Sequence, residues 1–271
     1  MLRIRSIMIV CIVLLALGCS NTELVRNEPK LQIRTDFKQL LDSLAIQGTV
    51  IVFDSATNVL EVGDTSYLNK GFLPASTFKI PNTLIGLELG VITKDHIFLW
   101  DSTPRRNPNW NQDLPLPIAF RASCVPCYQE LARNIGQTRM RQMLDTLGYP
   151  GMTFSDASID MFWLQGASAI TPMQQLNFLR RLHDRTLPLK PSTYDDFALI
   201  FPISNDSLGT FSGKTGTTLR DASMRGWFVG WLQLATNVRY VVVLIEPPSS
   251  MTMEQAVEVR MAIARKVLLK K

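Results

Sequence analysis

The sequence predicts an α/β chain of the α+β type: an antiparallel β-sheet flanked by helices, with a mainly helical insert. Three observations carry this. Apolar runs of strand length cluster at the two ends, at 49–54 and 58–62 and again at 208–218, 225–234 and 239–245. Between them apolar residues recur at helical spacing over 76–89, 128–147 and 172–183. With 271 residues, 46% hydrophobic and 19% charged, the chain can bury a large core, which excludes disorder. Strands at both ends imply one sheet assembled from the two termini.

The first 18 residues read as a signal peptide. Arg3 and Arg5 precede an apolar run over 7–17 that is too short to span a bilayer and long enough for an export signal. Leu15-Ala16-Leu17-Gly18-Cys19 then resembles a bacterial lipobox, making Cys19 a lipidation candidate. Ala16 stands where the pattern has Leu, so plain secretion stays open. The expected location is the periplasm, with an anchor in the outer membrane if Cys19 is lipidated. Residues 19–34, polar and charged, are expected to be a lipidated or flexible tether, and 35–271 the folded domain. Removal of 1–18 takes away Arg3 and Arg5 and lowers the formal charge from +5 to +3. No basic cluster with interleaved aromatics remains, so nucleic acid is not an expected partner.

The domain opens with an amphipathic helix at 36–45 and a hairpin of the 49–54 and 58–62 strands around a tight turn. Pro74 precedes and Gly90 follows the next helix, which puts Ser76 at its N-terminus, while Pro81 removes one backbone bond in the early helix. Residues 101–120, rich in Pro, Asn and Asp, read as a long irregular connection. The last helix starts at Thr252, which forms a capping box with Gln255, and runs to about residue 268.

Chemistry concentrates at Ser76-Thr77-Phe78-Lys79. A serine and a lysine three residues apart share one helix face, so the amine can reach the hydroxyl and take its proton. Free lysine, with a pKa of about 10.4, is protonated at neutral pH, so Lys79 has to be altered by its surroundings. Other schemes fit less well. His96 and His183 have no metal-spaced partner, and no Gly-x-Ser-x-Gly elbow exists. The Gly209–Thr215 stretch lacks the first glycine of a phosphate loop, where Leu208 stands. Cys124 and Cys127 are too few for a structural zinc site; they read as two buried small hydrophobes, with a disulfide as the alternative.

Ser76-Thr77-Phe78-Lys79, Ser123-Cys124-Val125, Phe162-Trp163-Leu164-Gln165-Gly166 and Lys214-Thr215-Gly216, in this order and spacing, resemble the class D serine β-lactamases, the oxacillinases. The likeness extends over nearly the whole mature chain, including the stretches 81–88 and 226–231. It implies a serine β-lactamase/DD-peptidase-like fold and hydrolysis of small-molecule β-lactams through an acyl-enzyme on Ser76, conferring resistance. It also implies that Lys79 reacts with CO2 to form an N6-carboxylysine that acts as general base; no other cofactor and no metal is expected. Burial against Phe78, Val125 and Trp163 would free the amine for that reaction, and the Trp163 indole N–H would hold the carbamate.

By the same resemblance Ser123 relays a proton toward the leaving nitrogen. Lys214, Thr215 and Gly216 line the substrate with Val125, the backbone N–H groups of Ser76 and Thr217 form the oxyanion hole, and Arg260 binds the substrate carboxylate. The apolar positions Val257, Ala264, Val267 and Leu268 of the same helix leave Arg260 free to face away from the core. One stretch departs from the family: Tyr149-Pro150-Gly151 stands where Tyr-Gly-Asn or Phe-Gly-Asn is usual. The alternative function is a penicillin-binding or β-lactam-sensing protein that is acylated without efficient turnover. A monomer or homodimer is expected, touching a membrane only through Cys19.

Overall fold

The computed structural model describes residues 28–220 and 223–270; the expected signal peptide, Cys11 and Cys19 lie outside them. Strand β1 (Lys30–Ile33) precedes helix α1 (Thr35–Asp42), and β2 (Gln47–Asp54) and β3 (Val59–Val62) form the first hairpin. The insert holds α2 (Lys79–Glu88), a small ribbon of β4 (Ile97–Phe98) with β5 (Leu114–Pro115), and then α3 (Leu116–Arg121), α4 (Val125–Ile135), α5 (Gln137–Leu147), α6 (Pro172–His183) and α7 (Pro191–Ile200). The chain closes with β6 (Pro202–Asp206), β7 (Gly209–Arg220), β8 (Ser223–Gln233), β9 (Val238–Glu246) and α8 (Met253–Leu269).

Seven strands form one sheet in the order β1-β3-β2-β9-β8-β7-β6, so the termini do meet, β2 pairing antiparallel with β9 from Gln47↔Glu246 to Asp54↔Arg239. The period-2 alternation of these strands divides the core between two faces. Val50, Val52, Val241, Val243 and Ile245 pack under α1 and α8 with Phe37, Ile263 and Val267. Ile51, Phe53, Tyr240, Val242 and Leu244 join the larger core beneath the helical insert. Strand β9 therefore reads as a nearly continuous apolar run because both of its faces are covered.

Several expected boundaries move. Residues 30–33 are part of the fold and not tether: β1 lies parallel to β3, and Arg34 pairs with Glu61 and Asp36. Four residues carry too short a pattern to stand out from a polar segment. Helix α1 ends at Asp42, short of 45, where Ala45 takes a positive φ of 54°. The connection at 101–120 ends in a helix, α3, with a proline at its start, the position that tolerates a missing N–H. The 128–147 helix is two helices broken at Gly136, whose φ of 79° serves both ends. Helix α7 and strand β6 had no sequence assignment. Helix α6 matches its expected span, started by a Thr171–Gln174 capping box.

Arg239 on β9 ties the closing elements together. Buried, it bonds Glu61 at 2.7 Å, faces Asp54 at 3.2 Å, and donates to the carbonyl of Leu268 at 2.6 Å at the end of α8. Removing one partner of a buried ion pair strands the other charge. Arg239→Ala is expected to lower unfolding free energy by roughly 3 kcal/mol in urea titration; a loss under about 1 kcal/mol would mean Arg34 alone compensates Glu61.

Candidate active site

Ser76 sits in a 3₁₀ turn, Ala75–Phe78, that runs directly into α2. The turn has three residues per revolution, so positions i and i+3 eclipse, and this sets Lys79 Nζ 3.2 Å from Ser76 Oγ. The expected α-helical start is thus a tighter one that aligns the two groups better. The turn is fixed from several sides. Ala75, in the left-handed region at φ 51°, donates its N–H to the carbonyl of Trp163 at 2.9 Å. Thr77 Oγ1 donates to the carbonyl of Pro74 at 2.6 Å and accepts from Gln175 Nε2 at 2.8 Å. Strand β7 passes so close that a Cβ on Gly216 would lie 3.0 Å from the Pro74 carbonyl oxygen and 3.1 Å from the Ser76 nitrogen. A side chain at the glycine of Lys-Thr-Gly would press the backbone of the Ser76 turn away from the strand.

Lys79 is 1% exposed, and burial, followed by the positive charge of Lys214, drives its pKa well below the ordinary lysine value. The face of Tyr128 lies 4.9 Å from Nζ, which compensates only part of the lost hydration. Tyr128 hydrogen bonds Thr83, and Thr83 in turn donates to the Lys79 carbonyl at 2.7 Å. Sequence reasoning missed Tyr128 and Gln175. The helical spacing pointed to burial for both but said nothing of what they face.

Ser123 Oγ accepts a hydrogen bond from Lys214 Nζ at 3.0 Å, bringing the Ser-Cys-Val and Lys-Thr-Gly motifs together across the site. Lys214, 4% exposed, has its pKa lowered to about 7 by burial and, secondarily, by Arg260. Ser76, Ser123, Val125, Thr215 and Thr217 are half-buried at the rim, as contact with a ligand requires. Trp163 is fully buried, stacked on Phe78 at 5.4 Å, and its indole N–H has no partner among the described residues.

Arg260 is a correction. It belongs to the buried face of α8 with Ala256, Ile263, Ala264 and Val267, and does not face away from it. Its Nη1 donates to the Gly216 carbonyl and to Thr217 Oγ1, both at 2.9 Å. A Cβ on Gly226 would come within 2.5 Å of that nitrogen, so the glycine opposite Thr217 in the ladder admits the guanidinium. Burial lowers its pKa to about 10, and it remains charged at neutral pH. Among the described residues, none of Lys79, Lys214 and Arg260 is paired with a carboxylate, leaving an electropositive site suited to an anionic ligand.

Two further expectations resolve. Cys124 and Cys127 are buried, but the reading of them as two small hydrophobes gives way to its alternative: they are joined in a disulfide. At the departure from the family, Tyr149 is buried edge-on to Phe78 and Phe178. Gly151, at φ 78°, approaches Ala169 so closely that a Cβ would lie 1.9 Å from its carbonyl oxygen, so the glycine anchors the loop.

A serine hydroxyl within hydrogen-bond reach of a buried lysine amine, beside two further buried basic groups, is an arrangement suited to serine acyl transfer. Residues 48–269 match the model of the penicillin-binding protein transpeptidase domain. β-Lactamase OXA-48 of Klebsiella pneumoniae is 36% identical over 225 residues, covering 82% of this chain and 82% of that protein. The crystal structure of the class D β-lactamase YbXI from Nostoc superimposes with a TM-score of 0.80 at 35% identity, over 85% of this chain and 95% of that one. Regulatory protein BlaR1 of Bacillus licheniformis is 29% identical over 233 residues, which are 85% of this chain and 38% of that protein. The chain belongs to the penicillin-binding transpeptidase family and, within it, to the class D β-lactamases.

The depressed lysines fix a pH dependence of stability. Between a folded pKa near 7 for Lys214 and its ordinary 10.5, the unfolded chain binds the extra proton, so stability rises with pH across that window and is flat below it. In CO2-free buffer, urea unfolding at pH 7.5 and 9.5 is expected to show a rise that Lys214→Met reduces by up to about 1.4 kcal/mol per pH unit. Equal slopes in the two proteins would contradict a neutral buried amine.

Proposed function

We propose that the protein hydrolyses β-lactams through an acyl-enzyme on Ser76, with Lys79 carrying a CO2-derived carbamate. The observation that carries this is the buried, uncharged-prone Lys79 amine 3.2 Å from Ser76 Oγ. The unpartnered indole N–H of Trp163, fully buried and stacked on Phe78, the residue before Lys79, supports the carbamate. An unprotonated amine takes up CO2 with release of one proton; a carboxylate oxygen there would accept from Trp163 and relieve the orphaned donor. When bound, the group supplies a proton acceptor for the Ser76 hydroxyl.

The chain's own residues supply the remainder. Ser76 Oγ attacks the lactam carbonyl, with the backbone N–H groups of Ser76 and Thr217 as oxyanion donors, an arrangement that contributes several kcal/mol in other enzymes. Ser123, bonded to Lys214, passes a proton to the departing ring nitrogen. Thr217 and Arg260 hold the substrate carboxylate. The Arg260 fork is already engaged through Nη1, which leaves its second arm and the Thr217 hydroxyl for the ligand. Export with removal of residues 1–18, and lipidation of Cys19 as the anchor, belong to the same proposal.

A sensor role is favoured by the BlaR1 likeness alone. The decisive measurement is turnover of a chromogenic cephalosporin: continuous hydrolysis is expected from the purified protein, and none with Ser76→Ala, which should also resist labelling by penicillin. A burst that stops after one equivalent would replace the hydrolase with the sensor.

Because only the neutral amine takes up CO2, activity is expected to fall as pH drops and Lys79 protonates, and to fall on CO2 depletion at fixed pH. Added bicarbonate should restore it. Activity indifferent to bicarbonate at acid pH would leave the bare amine as the base.

A further inference from the structure

We propose that the Cys124–Cys127 disulfide is a positioning element for the reaction, clamping the start of α4 so that the Ser123 hydroxyl stays on Lys214. This rests on the reading of Ser123 as the proton relay of a β-lactamase.

Ser123 is the one residue between Ala122, the C-cap of α3, and Cys124, the N-cap of α4. The end of α3 is closed by a Schellman pattern: Cys124 N–H bonds the Ala119 carbonyl at 2.9 Å and Ser123 N–H bonds that of Phe120 at 3.2 Å. That motif puts its C′ residue in the left-handed region, where glycine is usual, and here the residue is Ser123 at φ 55°. The side chain is retained because its Oγ meets Lys214 at 3.0 Å. A serine held in this conformation costs on the order of 1 kcal/mol or more and persists only if both neighbours are fixed.

The following residue, Cys124, is the N-cap of α4. Cysteine is not among the residues that cap well. Its Sγ nonetheless accepts from Cys127 N–H at 3.3 Å and is covalently joined to Cys127, three residues on, at the position whose side chain closes a capping box. The cross-link thus does by a bond what Ser and Glu do elsewhere by hydrogen bonds. It closes so short a loop that it restricts the unfolded chain little compared with a long-range bridge. Its effect is therefore local, on the direction in which α4 leaves Ser123. Both cysteines are buried, Cys124 1% and Cys127 7% exposed, so the clamp is held within the core and not on the surface.

The test uses two double variants of the full chain. Cys124→Ala with Cys127→Ala removes bond and cap; Cys124→Ser with Cys127→Ala restores a hydrogen-bonding cap without the bond. In the parent, the tryptic peptide 122–133 should resist alkylation until reduced. Each protein is assayed on a β-lactam, whose ring nitrogen needs a proton to leave, and on a carboxylate-bearing acyclic thioester, whose thiolate leaves without one. Acylation of Ser76 by the thioester, followed by mass, replaces turnover if the latter is slow.

The Ala–Ala variant is expected to lose about tenfold or more in kcat/KM on the lactam while the thioester rate changes by less than about twofold, and the Ser–Ala variant to recover part of the loss. Unchanged lactam rates, or equal losses on both substrates, would overturn the inference. A parent protein that hydrolyses no lactam would instead remove the reading beneath it.

Discussion

Three basic side chains buried in one site without a neutralising acid are the constraint to which the rest of the structure answers. Lys79, Lys214 and Arg260 are each at most 4% exposed. Taking one such charge out of water costs several kcal/mol, and the three repel one another. Part of that cost is met by deprotonation: burial moves Lys79 and Lys214 toward their neutral forms, while Arg260 stays charged. Part is met by dipoles, since Lys214 donates to Ser123 Oγ and the Thr215 carbonyl and Arg260 to the Gly216 carbonyl and Thr217. What is left is an uncompensated positive potential, which an anionic substrate would relieve.

Holding those groups demands backbone that local preference does not supply. Ala75 and Ser123 both take positive φ beside the reacting atoms, at 51° and 55°. Each is over-determined by neighbours: Ala75 by the Trp163 carbonyl and the passing β7 strand, Ser123 by two helix ends. Strain of this kind is stored in exchange for pre-arranged geometry, because nothing then has to reorganise as the reaction proceeds. The same logic places glycine at 216 and 226, where β7 meets the Ser76 turn and where Arg260 crosses β8.

The parts of the site that the sequence made legible are those set by short-range spacing. Ser76 with Lys79, and the Lys-Thr-Gly strand, follow from periodicity and motif, and their union in space follows from strands at both termini. Arg260 was harder. Apolar spacing on α8 treats an arginine as a surface residue, and only the carbonyl of Gly216 and the missing Cβ of Gly226, on other strands, reveal why it can be buried. Tyr128 and Gln175 were visible as helix residues but not as neighbours of Lys79 and Thr77. β1 escaped because a four-residue parallel edge strand depends on its partner β3 and on Arg34 reaching Glu61, neither of which is local. The Cys-x-x-Cys spacing permits a disulfide but does not dictate one; the cap geometry at α4 is what brings the two sulfurs together.

The site spans residues 76 to 260, from the first turn of the insert to the last helix, so it exists only when the sheet closes. The distribution of packing explains why the fold can carry an electrostatically unfavourable centre. Two apolar cores lie on the faces of one sheet, and the strands between them, β7 to β9, supply the Lys-Thr-Gly face on one side and the floor for α8 on the other. Burial at about 25 cal/mol per Å² over such cores outweighs a few buried amines. The favourable packing is thus concentrated in the sheet and the unfavourable charge in its cleft. Binding an anion in that cleft would stabilise the fold and engage the reactive serine through the same contacts, because the charges that weaken the empty site are the ones that hold the ligand.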